Sequence, residues 1–83
     1  MMTEADIKTT IFQLLKRIAP DTEPTLLKPG DNIRDTLGID SFDALQFIIA
    51  LNEKLGIEIP EQDYGKTGTL EQLIAYIKTK EKL

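Results

Sequence analysis

Ser41 is the only serine in a chain of 83 residues that contains neither histidine nor cysteine. Asp40 precedes it and Asp43 lies two residues beyond. A serine that cleaves bonds needs a base within hydrogen-bond reach and a set of donors for the developing oxyanion. The missing histidine, and lysines and aspartates in no recognisable constellation, leave a hydrolase without that machinery. The same absences remove disulfides, the usual zinc sites and thiol nucleophiles. Asp-Ser ahead of an apolar helix is ordinary N-terminal capping chemistry, and on the residues alone that is the stronger reading of Ser41.

The elements around it are legible in the periodicity. A first helix is expected from Glu4 to Ile18, capped by Thr3 with Asp6 completing a capping box. Ile7, Ile11, Leu14, Leu15 and Ile18 form its apolar stripe, Lys16 and Arg17 suit its C-terminal dipole, and Pro20 closes it. A long connection from Ala19 to Asp40 follows. Its prolines prevent one regular helix, a turn of helix is expected near Asp31 to Thr36, and Leu26, Leu27, Ile33 and Leu37 should pin it to the core. Asp31-Asn32-Ile33-Arg34-Asp35 lacks the alternating ligands and glycine of a calcium loop.

The second helix should span Ser41 to Leu55, with Asp40 as N-cap and Gly56 as its left-handed stop. Pro60 can open a short helix through Tyr64. The last helix should begin after Thr69 with Gln72 in a capping box, bury Leu70, Leu73, Ile74 and Ile77, and fray from Lys78 to Leu83. The expected fold is all-α, one domain over residues 1–83: three main helices plus one short helix, with a long loop between the first two.

Composition narrows the function classes. With 41% hydrophobic and 29% charged residues the chain is too apolar for disorder, and it has no run long enough to insert into a membrane. The start, Met1-Met2-Thr3-Glu4-Ala5-Asp6, lacks the pattern of an export signal, so a cytoplasmic monomer is expected. A net charge of −4 argues against nucleic acid as a partner. That charge is concentrated: residues 40–63 hold six acids against Lys54, a net −5, whereas the rest holds nine bases and eight acids. Such a segment can be a solvated face, or it can steer a basic protein surface.

Two apolar faces run along the second helix. Ala44, Phe47, Ile48, Leu51 and Leu55 suit a core. Phe42, Leu45 and Ile49 form another stripe, edged by Asp43, Gln46 and Glu53, that is either buried on a second side or exposed as a docking patch with an acidic rim.

The run Ile33-Arg34-Asp35-Thr36-Leu37-Gly38-Ile39-Asp40-Ser41-Phe42-Asp43-Ala44-Leu45 resembles the phosphopantetheine-attachment motif of acyl carrier proteins. Leu55-Gly56-Ile57-Glu58-Ile59-Pro60 followed by Thr69-Leu70 resembles that family's downstream pattern, so the likeness covers essentially the whole chain. It implies that Ser41, next to Asp40, accepts 4'-phosphopantetheine from coenzyme A through a separate magnesium-dependent phosphopantetheinyl transferase. The chain would then be no enzyme but a shared substrate, holding acyl groups as thioesters for acyl-loading and acyl-processing enzymes with basic docking surfaces. Phe42, Asp43, Leu45, Gln46, Ile49 and Glu53 would form the recognition face, and Ile48, Leu51 and Ile59 either an acyl pocket or plain core. Phe42 departs from the family's usual leucine, and Glu53 is the only acid between Gln46 and Lys54. A specialised lipid or polyketide-type pathway, or an aminoacyl or peptidyl carrier, therefore stands beside fatty-acid synthesis. So does an unmodified helical interaction module.

Overall fold

Thr3 opens the first helix by the expected reciprocal pair: its hydroxyl accepts from the Asp6 amide at 3.1 Å and its own amide donates to Asp6 Oδ2 at 3.1 Å. In the computed structural model, which describes residues 2–81, helix α1 runs Glu4–Ile18. Ile7, Ile11, Leu14 and Leu15 are buried along one face, while Ile18 is only half-buried. Helix α2 (Ile33–Leu37) is short, α3 (Ser41–Leu55) is central, and α4 (Leu70–Glu81) closes the bundle. Two 3-10 segments, Pro24–Leu26 and Glu61–Lys66, occupy the connections. No strand is present among the described residues, and no helix is long and apolar enough to cross a membrane.

The core is a single cluster. The α1 stripe meets Phe47 and Leu51 of α3 and Leu70, Leu73, Ile74 and Ile77 of α4, with Leu27, Ile33, Ile39 and Ile59 filling in from the connections. Each apolar side chain taken from water here is worth about 1.5 to 3 kcal/mol, which makes this cluster the main stabilising feature of so small a chain.

Two details of the long connection differ from expectation. Leu26 points outward, 74% exposed. A 3-10 turn repeats every three residues, so Pro24 and Leu27 face the core together and Leu26 cannot. The turn of helix begins at Ile33 rather than Asp31, because Asn32 acts as its cap, with Oδ1 accepting from the Asp35 amide at 2.9 Å. Gly38, at φ 68°, ends α2 in the left-handed region, where a side chain is strained.

The connection is also tied to α4. The amides of Leu70 and Glu71, at the start of α4 where helical partners are lacking, donate to the carbonyls of Asp31 (3.2 Å) and Pro29 (2.9 Å), and the Ile33 amide donates to Gly68 O (2.9 Å). Thr69 and Gln72 complete the capping box of α4. That helix is assigned through Glu81, with Lys78 near Glu4 of α1 at 3.6 Å; Lys82 and Leu83 lie outside the described residues.

Candidate functional site

The residues leading into α3 place Ser41 by a sequence of small constraints. Gly38 turns the chain, Ile39 is buried as an anchor, and Asp40 adopts an extended conformation as the N-cap. Asp40 Oδ1 accepts from the Asp43 amide at 2.8 Å, and the Asp40 carbonyl takes the Ala44 amide at 3.0 Å. The cap is thus made by Asp40 alone. Ser41 is the first helical residue, exposed, and its hydroxyl has no hydrogen-bond partner among the described residues. The amides of Ser41 and Phe42 belong to the first turn, where no helical acceptor exists, so this end of α3 offers free donors and the positive end of a dipole to an anion beside Ser41.

A cleft of about 390 Å³ opens beside Ser41 between α3, α2 and the segment from Glu61 to Gly68. On the α2–α3 side it is walled by Ile33, Ile39, Ala44, Leu45, Phe47 and Ile48, with Ser41 itself on the wall. Glu61, Tyr64, Thr67 and Gly68 face them, and Asn32 and Arg34 contribute from the start of α2. Of the three residues considered for a pocket, only Ile48 lines this space. Leu51 and Ile59 are packed inside the core, Leu51 because it faces α1 a full turn beyond the cleft and Ile59 because the connection after Gly56 carries it inward.

The second apolar stripe of α3 is open to solvent. Phe42 is 67% exposed, and Leu45 and Ile49 are each 42% exposed. Gln46 and Glu53 beside them are exposed and Asp43 is half-buried. Leu45 belongs to both surfaces, because it lies between the stripe and the cleft.

The wall facing α3 is fastened from behind. Tyr76 of α4 donates its hydroxyl to Asp63 Oδ2 at 2.6 Å, and Lys66 lies 3.5 Å from Asp63 Oδ1. The Tyr76 hydrogen bond, with help from Lys66, holds the Asp63 carboxyl below its ordinary range despite some opposing desolvation. Burial, then the bond to Asp63, pushes the Tyr76 phenol up to about 12.

Asn32, Arg34, Tyr64, Thr67 and Gly68 were not singled out in the sequence. The spacing Ser41, Ala44, Leu45 and Ile48 marks one strip of a helix, and this was the available signal for that wall; the facing wall comes from residues some twenty positions away, which periodicity along one element does not reach.

The phosphopantetheine attachment site family model matches residues 6–77. An acyl carrier protein of Chlorobium phaeovibrioides is 34% identical over 80 residues, 95% of this chain and 100% of that protein. The acyl carrier protein of Chlorobium luteolum is 32% identical over the same shares. The solution structure of a candidate acyl carrier protein from Anaplasma phagocytophilum superposes with a TM-score of 0.81 at 24% identity, covering 96% of this chain and 93% of that one, a likeness of fold. By its match to the family model and its similarity to these relatives along nearly its whole length, the chain belongs to the acyl carrier protein family, whose members are carriers rather than enzymes and whose prosthetic group is phosphopantetheine.

Proposed function

We propose that Ser41 carries the 4'-phosphopantetheine arm, and that the chain works as a single carrier domain which delivers acyl thioesters to partner enzymes of fatty-acid or specialised lipid or polyketide-type synthesis. The observation that carries this reading is the spare hydroxyl: Asp40 satisfies the helix end by itself, which leaves Ser41 exposed and unengaged at the mouth of a cleft. In the transfer, the Ser41 oxygen would bond to the phosphorus of coenzyme A that bears the pantetheine. The pyrophosphate bond breaks, adenosine 3',5'-bisphosphate leaves, and the serine proton passes to a base on the transferase. The resulting phosphodiester is favoured by the open amides of the α3 N-terminus. Asp40 serves as the cap that presents the serine.

In the same reading, partner enzymes with basic surfaces dock on Phe42, Leu45 and Ile49, framed by Asp43, Gln46 and Glu53, and the cleft shelters the cargo. The test is incubation of the apo-protein with coenzyme A, magnesium and a broad-specificity phosphopantetheinyl transferase, followed by intact-mass measurement. One added phosphopantetheine is expected on the wild type and none on Ser41→Ala. A wild-type chain left unmodified, beside a control carrier that is modified, refutes the assignment.

A further inference from the structure

Cargo that leaves Ser41 and folds back meets a cleft whose two sides differ chemically. The α2–α3 side is apolar, built by Ile33, Ile39, Ala44, Leu45, Phe47 and Ile48. Polar groups line the rest of the cleft, Thr67 on the facing segment and Asn32 at the start of α2. Thr67 lines the cleft, is only 8% exposed, and its hydroxyl proton is already given to the Tyr64 carbonyl at 3.0 Å, so toward a ligand its oxygen acts as an acceptor. Asn32, exposed at the rim, uses Oδ1 to cap α2, which leaves its Nδ2 hydrogens as donors without a protein partner among the described residues. A saturated chain laid in this space would strip water from the Thr67 oxygen and return nothing, and a polar group left unpaired in an apolar setting costs more than its bond is worth when made. A volume near 390 Å³ is at the small end of ligand sites, which favours a short chain.

We propose that the cleft selects short acyl groups carrying a hydroxyl near the thioester, with Thr67 accepting from that hydroxyl and the Asn32 amide donating to an oxygen of the cargo. The inference rests on Ser41 as the attachment point. Its test charges the apo-protein from hexanoyl-coenzyme A and from 3-hydroxyhexanoyl-coenzyme A with magnesium and the broad-specificity phosphopantetheinyl transferase, and measures thioester cleavage by hydroxylamine for each. Each rate is divided into that of the matching free acyl-pantetheine, which removes the intrinsic effect of the hydroxyl. Protection of the hydroxylated cargo is expected to exceed that of the saturated one about five- to tenfold, the worth of one buried hydrogen bond. Thr67→Val, which keeps the shape, and Asn32→Asp, which keeps the cap oxygen but removes the donor, should each erase most of that ratio in proteins whose melting shows them folded. Equal protection of the two cargoes, or a ratio unchanged in both variants, overturns the inference and leaves Ser41 standing. Failure of both coenzyme A thioesters to add any mass, beside a control carrier that accepts them, overturns the attachment site and the inference together.

Discussion

Asp40 and Ser41 are neighbours whose substitutions should have opposite consequences. Asp40 Oδ1 satisfies the Asp43 amide at 2.8 Å, so Asp40→Ala removes an N-cap worth typically about 1 kcal/mol. In a domain of this size that lowers Tm by roughly 4 to 8 °C. Ser41 makes no hydrogen bond among the described residues and sits exposed at the first helical position, where alanine is the better helix former by a few tenths of a kcal/mol. Ser41→Ala should therefore melt within about a degree of wild type, or slightly above it, while losing all capacity to accept phosphopantetheine. Asp40→Ala should keep the acceptor hydroxyl and show slowed modification, because the frayed first turn no longer holds Ser41 in place. Thermal melts followed by circular dichroism, with intact mass read from the same samples, separate the two. If Ser41→Ala melts several degrees low and Asp40→Ala does not, the serine is the cap and the assignment of roles is reversed.

Phe42→Ala and Ile49→Ala remove side chains that are 67% and 42% exposed, so urea unfolding should move by no more than about 1 kcal/mol, well short of a core truncation, while acyl transfer to or from partner enzymes weakens. Leu51→Ala empties a fully buried position and should cost about 2 to 5 kcal/mol in the same assay. The Asp63–Tyr76 pair predicts two pH limbs. A carboxyl held low in the folded state stabilises above its unfolded pKa and loses that contribution as pH falls through the acid range; a phenol raised to about 12 stabilises below its unfolded pKa near 10 and loses it as pH climbs toward 12. Urea midpoints across pH 3 to 7 and 9 to 12 should slope accordingly in the wild type and be flatter in Tyr76→Phe, and identical slopes in the two proteins would remove the pair from the account.

Where the sequence carried local chemistry, the fold was legible. Thr3 with Asp6, Asp40 before an apolar run, Gly56 after it and Thr69 with Gln72 fix helix ends through contacts three or four residues apart, and α1 and α3 fall where those signals put them. The orientation of Leu26 was not legible, because it depends on a 3-10 period that Pro24 permits but does not announce. Phe42, Leu45 and Ile49 could be grouped from spacing, yet whether the group was buried depended on how many helices cover α3, which is a property of the whole bundle. The cleft was the least accessible feature. Ile48 was foreseen beside it, but Thr67 and Asn32 come from two connections, and their approach is decided by backbone bonds between segments more than thirty residues apart.

Those same backbone bonds constrain how the cleft can change width. Ile33 and Gly68 each line it, and the amide of the first is bonded to the carbonyl of the second at 2.9 Å. They form a spine, as in a book, and its two covers are α3 on one hand and the Glu61–Lys66 segment on the other. The Glu61–Lys66 cover buries no residue in the core and is held to α4 by the Tyr76 hydroxyl on Asp63, whereas α3 carries Phe47 and Leu51 into the core against α1, so the cleft widens most readily at the former. Widening the cleft in this way gives up the Asp63–Tyr76 bond and leaves the core of α1, α3 and α4 packed.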